Sequence, residues 1–130
     1  MTTKTLFAAT VFAVGLTVPA HAEEAAGPVY LLADLKVSNL EQYMENYGFP
    51  VTPMLLEAGA EIIVATPQVE VLEGDYAPNW SVVVRFPSEA AAKRWYASDE
   101  YRAMIPLRHG LTDQDASTMV LAPQFSMPEQ

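Results

Sequence analysis

Cysteine is absent from the 130 residues, and basic side chains are scarce, because seven Lys and Arg stand against 16 Asp and Glu. The absence of Cys excludes disulfides, thiol catalysis, iron–sulfur clusters and cysteine-type zinc sites. The formal net charge of −9 argues against nucleic acid and against an anionic membrane surface, since both attract clustered Lys and Arg. The six glycines are too scattered to form a phosphate-binding loop.

The remaining composition is that of a folded domain. Hydrophobic residues make up 51% of the chain and charged residues 18%, a balance that is not typical of disorder. The length corresponds to one ordinary domain.

The N-terminus has the three parts of a secretory signal. Lys4 precedes an apolar run from Leu6 to Val18, and a small-x-small site follows at Ala20-His21-Ala22. The alternative is a short N-terminal helix of the mature fold. We expect residues 1–22 to be a signal peptide that is cleaved after Ala22. The mature domain would then be residues 23–130, periplasmic or secreted, and without a membrane partner after cleavage.

Hydrophobic periodicity and capping residues predict the elements of the mature chain. Alternation of apolar residues indicates strands at Val29–Val37 and Trp80–Phe86. Glu61–Thr66, which is rich in Ile and Val, and Ser117–Leu121 are predicted as the other two strands. Asn39, Ser88 and Ser98 are N-cap residues ahead of helical patterns. The first helix is expected to break near Phe49 and resume through Ala58, and the last helix is expected to end at Pro106.

The order strand, helix, strand, strand, helix, strand predicts an α+β fold of the ferredoxin-like βαββαβ type, with a core of about residues 29–121. Its four-stranded antiparallel sheet would carry both helices on one face. The other face would present Leu32, Val83 and either Ile62 or Ile63 to solvent. A face this apolar predicts a homodimer in which two sheets pair as a dimeric α/β barrel.

Several segments carry a resemblance to a known family. They are Tyr43 with Tyr47, Gly59, the run Val71–Gly74 and, most distinctively, the stretch from Phe86 to Arg108. On these residues the chain from Pro28 to about Val120 resembles the family called domain of unknown function 1330, within the dimeric α/β-barrel superfamily. The resemblance implies the fold and the homodimer. The family has no settled reaction, and the superfamily includes cofactor-free oxygenases and isomerases.

Two charged residues within the family-like segments are candidate catalytic groups. Glu73 lies in an acidic turn and could act as acid or base, although a solvated turn is the alternative. Arg108 follows the apolar residues Met104, Ile105 and Leu107, and a guanidinium there could hold a carboxylate substrate or serve structure alone. We expect Glu73 and Arg108 to lie close together at one end of the fold.

Five aromatic residues are candidate ligand-binding groups: Tyr43, Tyr47, Trp95, Tyr96 and Tyr101. Their helical spacing is typical of core packing, and the alternative is a pocket for a small apolar or aromatic molecule. We expect Trp95 to be buried and mainly structural. His109, the last His of the chain, reads as an exposed loop residue or as a general base or haem ligand. No metal site or cofactor is predicted.

Two functions fit these observations. One is a cofactor-independent enzyme, monooxygenase- or isomerase-like, in which Tyr and Arg groups orient the substrate and Glu73 transfers a proton. The other is a non-catalytic small-ligand-binding or stress-related dimer, in which the same residues are structural.

Overall fold

The structure is a computed structural model that describes Gly15 and residues 27–130. Apart from Gly15, the predicted signal peptide lies outside the described residues. The elements in chain order are β1 (Val29–Val37), α1 (Leu40–Tyr43), a π-helical turn (Met44–Gly48), α2 (Phe49–Glu57), β2 (Glu61–Thr66), β3 (Trp80–Phe86), α3 (Glu89–Ala97), α4 (Asp99–Leu111) and β4 (Thr112–Pro123).

The four strands form one sheet in the order β2-β3-β1-β4, and every neighbouring pair is antiparallel. This is the predicted ferredoxin-like arrangement, so the α+β fold is confirmed. In the register, Leu32 of β1 lies opposite Val83 of β3 on one side and opposite Val120 of β4 on the other.

The two faces of the sheet have different environments. One face packs against the helices, because alternate residues of β1, from Val29 to Val37, are buried with side chains from α2, α3 and α4 in one core. The opposite face carries Leu32 and Val83, as predicted, and no helix of the described chain packs on it. Val64, which lies opposite Val83, and Val120 add exposed apolar surface to the same face.

The predicted break near Phe49 is wrong, because the backbone stays helical from Leu40 to Glu57. A π-helical turn replaces the break, and the N–H of Phe49 donates to the carbonyl of Met44. The wider turn places Pro50 at the start of α2, where a missing N–H and a fixed φ are tolerated. Gly59 follows α2 with the predicted positive φ, 78°, which favours glycine.

The prediction that Pro106 ends the last helix is also wrong. Helix α4 continues through Pro106 to Leu111. A proline in a helix frees the carbonyl four residues earlier, here that of Arg102. Arg102 and Pro106 are both exposed, so water can satisfy that carbonyl. The continued helix carries Arg108 onto the same side as Tyr101, two turns earlier.

The last strand is longer than predicted, since β4 begins at Thr112 rather than at Ser117. Its first half is polar and gives no apolar alternation. The pairing with β1 shifts register between Asp34 and Lys36. The Ser117 hydroxyl accepts a hydrogen bond from the Lys36 N–H at 2.9 Å there, which supplies a backbone donor with a partner.

Candidate functional site

Four of the five predicted aromatic residues meet where the helices cover the sheet. The ring centroids of Tyr43 and Tyr47 are 5.2 Å apart, and those of Trp95 and Tyr101 are 3.9 Å apart. The hydroxyls of Tyr47 and Tyr101 form a 2.7 Å hydrogen bond. We call these four residues, together with Arg108, the aromatic cluster.

Two helix N-caps set where α3 and α4 begin, and so position Trp95 and Tyr101. The Ser88 hydroxyl accepts from the Ala91 N–H and begins α3, which presents Trp95 two turns later. The Ser98 hydroxyl accepts from the Tyr101 N–H and restarts the chain as α4. Both caps were predicted from the sequence, and both are confirmed. The prediction that Trp95 is buried is also confirmed.

A cavity of about 90 Å³ lies between the sheet and the first helical segment, which runs from Leu40 to Glu57. Its aromatic walls are Tyr43, Tyr47, Trp80 and Trp95, and aliphatic side chains from the sheet and α2 complete it. The lining residues include no Asp, Glu, His, Lys or Arg. Its polar side-chain groups are therefore hydroxyls and two indoles, a composition that favours an uncharged, apolar occupant.

Trp80 and Gly48 also line the cavity, and neither was singled out from the sequence as a site residue. Trp80 was taken only as the first inward residue of a strand, and that alternation was the signal that could have found it. Gly48 lies in the π-helical turn, and a Cβ added there would lie 2.9 Å from the Met44 sulfur. A side chain at position 48 would therefore displace Met44, which also lines the cavity.

The buried phenols are held in their neutral form. Burial is the main cause that raises the pKa of Tyr43, of Tyr47 and of Tyr101 above the ordinary value of a phenol. The positive charge of Arg108 acts on all three in the opposite direction. At neutral pH these tyrosines can donate hydrogen bonds, and they do not act as anionic bases.

Arg108 is only 5% exposed. Its guanidinium carbon lies 5.9 Å from the ring centroid of Tyr47, a cation–π distance. Burial alone would lower the pKa of Arg108, but Tyr101 and Tyr47 outweigh it, so that the pKa is raised. The guanidinium is therefore charged. Within residues 27–130, no Asp or Glu forms an ion pair with it.

Two buried donors of the aromatic cluster have no acceptor. They are the Arg108 Nε and the Trp95 Nε1. Native structures satisfy nearly all such groups, and each unsatisfied donor costs about 1–3 kcal/mol.

Tyr96 and His109 do not belong to the aromatic cluster. The Tyr96 ring packs edge-on against Trp95 and tilted against Tyr101, but it is 44% exposed. It lines a second apolar hollow with Leu31, Trp95 and Leu121. His109 is exposed near the end of α4, not in a loop.

The structure does not bring Glu73 to Arg108. Glu73 lies in the segment of residues 67–79 and lines a hollow with Asp34, Tyr76 and Ser81. Asp34 and Ser81 face each other in the register on the sheet face opposite the helices, whereas Arg108 lies among the helices. No ion pair joins Glu73 to Arg108 in the part of the chain that the structure describes.

A polar group that the sequence analysis missed holds the segment of residues 67–79 against the sheet. The Tyr76 hydroxyl donates to Asp34 Oδ1 at 2.7 Å, and the Ser81 hydroxyl donates to the same oxygen at 2.6 Å. The Asn79 amide bonds both backbone groups of Val37, accepting from its N–H and donating to its carbonyl. Only the fold brings these residues together, since Asp34 is 42 positions from Tyr76.

Some kinds of site are not found among the residues described. No group of three or more His, Asp and Glu side chains there could hold a metal ion. None of the described helices is both long enough and apolar enough to cross a membrane.

The antiparallel strand order and the helices packed on one face of the sheet define an α+β domain with a ferredoxin-like fold. The family described as "Domain of unknown function (DUF1330)" matches residues 28–121. The chain belongs to that family, as its motifs indicated. A search of curated proteins gives no match.

Solved structures of similar fold come from several bacteria. A protein of unknown function from Rhodopseudomonas palustris has 18% identity and a TM-score of 0.63, over 78% of this chain and 85% of that one. A dimeric ferredoxin-like protein of unknown function from Jannaschia sp. CCS1 has 13% identity and a TM-score of 0.64, over 75% and 100%.

A third similar structure has a named activity class. It is a candidate antibiotic biosynthesis monooxygenase from Caulobacter crescentus CB15, with 14% identity and a TM-score of 0.57 over 77% of this chain and 92% of that one. At these identities the three similarities establish the fold.

Proposed function

We propose that this protein is an exported homodimer that binds a small apolar or aromatic molecule in the cavity beside the sheet. The observation that carries the proposal is the lining of the cavity, in which aromatic and aliphatic walls surround a few hydroxyls and no charged group. Such a space favours a ligand with an apolar body and few polar atoms.

The size of the cavity fits this class of ligand. One water needs roughly 10–15 Å³ of such volume, and this cavity of about 90 Å³ holds several times as much. Apolar cavities in proteins tend to stay dry and to accept benzene-like molecules. A single aromatic ring with a short substituent is therefore the reference ligand.

Binding is favoured over acid–base catalysis because the cavity has no proton acceptor. No carboxylate or imidazole lines it, and burial raises the pKa of Tyr43 and of Tyr47. A general base has to lie within hydrogen-bond reach of the proton that it removes.

A cofactor-independent, monooxygenase- or isomerase-like enzyme is the second candidate. It is favoured by the charged Arg108 beside the ring of Tyr47, since a buried cation can stabilise an enolate or phenolate. The similarity in fold to the Caulobacter protein is consistent with this candidate. The base would then have to come from the ligand or from the solvent.

The homodimer is proposed from the uncovered sheet face. Leu32, Val64, Val83 and Val120 form an apolar strip across all four strands, and a second copy could bury the strip by packing sheet against sheet. The Jannaschia protein is described as dimeric. The segment of residues 67–79 lies at the edge of this face and would frame the interface.

Export is proposed from the N-terminal segment alone. The run from Leu6 to Val18 and the Ala20-His21-Ala22 site predict cleavage after Ala22. N-terminal sequencing of the protein from a periplasmic fraction should begin at Glu23. Recovery of the intact Met1 end in that fraction would contradict cleavage.

Fluorescence gives a direct test of ligand binding. Both tryptophans of the chain, Trp80 and Trp95, line the cavity, so 2-phenylethanol should change the intrinsic emission in a saturable titration. Ala33→Leu, which adds bulk to a buried lining residue, should abolish that change. The matched Ala103→Leu variant, at an exposed site on α4, should bind normally. No saturable change in the unmodified protein would contradict the proposal.

Mass spectrometry of the ligand separates the two candidates. After prolonged incubation in air, a binding protein returns the 2-phenylethanol unchanged. A product that has gained one oxygen atom and lost two hydrogen atoms, with the second oxygen atom of O2 leaving as water, would favour the cofactor-independent monooxygenase-like candidate. A product of equal mass but altered retention would favour an isomerase.

A further inference from the structure

Three side chains that line the cavity carry a hydroxyl: those of Tyr43, Tyr47 and Thr52. Two of these hydroxyls already bind protein groups. The Tyr47 hydroxyl is hydrogen-bonded to the Tyr101 hydroxyl at 2.7 Å, and the Thr52 hydroxyl donates to the carbonyl of Gly48 at 2.9 Å. Among the described residues, Tyr43 is therefore the lining residue whose hydroxyl proton has no acceptor in the protein.

The oxygen of the Tyr43 hydroxyl has a partner, although its proton has none. The ring centroids of Tyr43 and Trp80 are 6.3 Å apart in an edge-on arrangement. Burial, the largest influence, raises the pKa of Tyr43, and a hydrogen bond with the Trp80 side chain acts to lower it. The phenol is therefore neutral at pH 7. Because an indole N–H donates and does not accept, the phenol proton stays available for a ligand.

Tyr43 and Trp80 lie at one end of the cavity. Trp80 begins β3 and lies opposite Leu35, close to the end of β1, and Tyr43 lies in α1, which follows β1. Val82 and Val84 continue the cavity wall along β3, away from this end. Tyr43 is only 3% exposed, so bulk water competes little for its proton. A ligand can thus place one polar atom at Tyr43 and its apolar body along β3.

We propose that Tyr43 determines the specificity of the cavity, its hydroxyl donating a hydrogen bond to an uncharged acceptor oxygen of the ligand. The ligand class is then a small aromatic or apolar ketone, aldehyde or ester. This inference rests on the proposed function and adds a preference among its ligands. A carbonyl oxygen only accepts, whereas an alcohol would bring a donor into a cavity whose side chains offer it no free acceptor. A carboxylate would lose its hydration without gaining a counter-charge from the lining.

A pair of probes of similar shape tests the preference. Acetophenone and ethylbenzene share a benzene ring and a two-carbon substituent, and they differ by a carbonyl in place of a methylene group. Because ethylbenzene is more hydrophobic, the informative quantity is the change in the affinity ratio between variants. In Tyr43→Phe, the affinity for acetophenone should fall about threefold to tenfold, the usual effect of one neutral hydrogen bond. The affinity for ethylbenzene should stay within about twofold, with both measured by calorimetry.

A matched variant controls for the loss of a phenol hydroxyl elsewhere. The Tyr30 hydroxyl donates to Gln124 Oε1, and Tyr30 does not line the cavity. Tyr30→Phe should therefore leave both affinities unaltered. A selective loss of acetophenone in Tyr47→Phe, with none in Tyr43→Phe, would place the contact at the other phenol and refute the assignment.

Infrared spectroscopy reports the contact itself, because a hydrogen bond to a carbonyl oxygen lowers its stretching frequency. Acetophenone with carbon-13 at the carbonyl, compared with the unlabelled compound, isolates the band of the bound ligand. In the unmodified protein this band should lie below its position in hexane, and in Tyr43→Phe it should move back toward that position. A merely structural role of Tyr43 would weaken both probes alike and leave the band unmoved.

The outcomes separate this inference from the proposed function. If Tyr43→Phe affects both probes equally, or if the carbonyl band of the bound ligand is the same as in hexane, the assignment is refuted and the cavity still binds ligand. If ethylbenzene binds and acetophenone does not, the preference for a carbonyl is refuted. If neither probe binds, the proposed function fails and this inference fails with it. If Tyr43→Phe does not fold, the carbonyl band in the unmodified protein still decides the result.

Discussion

The phenolic oxygens of Tyr47 and Tyr101 lie 2.7 Å apart, although 54 positions separate the two residues. This hydrogen bond joins the π-helical turn to α4 and is buried on both sides. It fixes the Tyr47 ring, which faces the cavity on one side and lies near the Arg108 guanidinium on another. The cavity wall and the buried cation are thus held by one contact.

The first prediction concerns this bond. Tyr47→Phe should lower the free energy of unfolding by about 1–3 kcal/mol, because it leaves the Tyr101 hydroxyl buried without its partner. Tyr101→Phe should do the same, and the double variant should lose less than the sum. Urea denaturation of the four proteins gives the coupling energy. Strict additivity would show that the bond is not formed in solution.

The second prediction is a loss of stability in alkali. Burial raises the pKa of Tyr43, of Tyr47 and of Tyr101, so these phenols ionise in the unfolded chain, near pH 10, before they ionise in the folded one. Their contribution to stability is unchanged below about pH 9. Above about pH 10 it should fall by up to about 1.4 kcal/mol per pH unit for each group.

Denaturation at a series of pH values from 8 to 11 measures this slope. Tyr43→Phe should make the alkaline slope shallower by one group and leave the slope below pH 9 unaltered. A free energy of unfolding that stays flat to pH 11 would show that the phenols titrate alike in both states.

The third prediction compares two adjacent aromatic residues. Trp95 is buried against Phe86 and Tyr101, so Trp95→Ala should cost roughly 3–5 kcal/mol. Tyr96 is 44% exposed, and Tyr96→Ala should cost well below that, at about 1 kcal/mol. Thermal and urea unfolding measure both changes. Equal losses at the two positions would contradict the packing described for α3.

The fourth prediction tests the homodimer. Sedimentation at micromolar concentration should give twice the protomer mass. Leu32→Asp places a charge in the centre of the uncovered sheet face and should yield monomer or insoluble protein, because an unpaired charge would be buried. Leu56→Asp, at an exposed position on α2, is the control and should remain dimeric. A monodisperse monomer of the unmodified protein would refute the sheet-to-sheet pairing.

The sequence was informative wherever a local rule acts alone. Alternation from Trp80 to Phe86 predicted β3 at its observed bounds, and Ser88 predicted the start of α3 through a cap that involves only the next three residues. Gly59 predicted a positive φ for the same reason. These features depend on short segments, and tertiary contacts did not override them.

The site was harder to predict because prolines indicated helix ends or breaks where the helices that form the site continue. Ending the last helix at Pro106 hid the spacing of Tyr101, Met104, Ile105 and Arg108, which places Arg108 on the buried side of α4. Likewise, Pro50 and Gly48 indicated a break where a π-helical turn keeps the helix continuous. Local propensity cannot show that a freed carbonyl faces solvent, and that exposure is what allows Pro106.

The placement of Glu73 shows a second limit. Its acidic turn and its family-like motif could not reveal on which side of the sheet it would lie. The hydrogen bonds that the Tyr76 and Ser81 hydroxyls donate to Asp34 decide that position, and these contacts are between segments distant in sequence. Glu73 therefore remains a candidate catalytic residue, but no ion pair joins it to Arg108 among the described residues.

A crystal soaked with bromobenzene tests the central claim, ligand binding in the cavity, most directly. Anomalous scattering locates the bromine without reference to any assay of activity. The account predicts one strong peak between the first helical segment and the sheet, in contact with Tyr43, Val51 and Trp80, and its loss in Ala33→Leu. An empty cavity, with bromine only in the apolar hollow beside Tyr96 or nowhere, would contradict the claim.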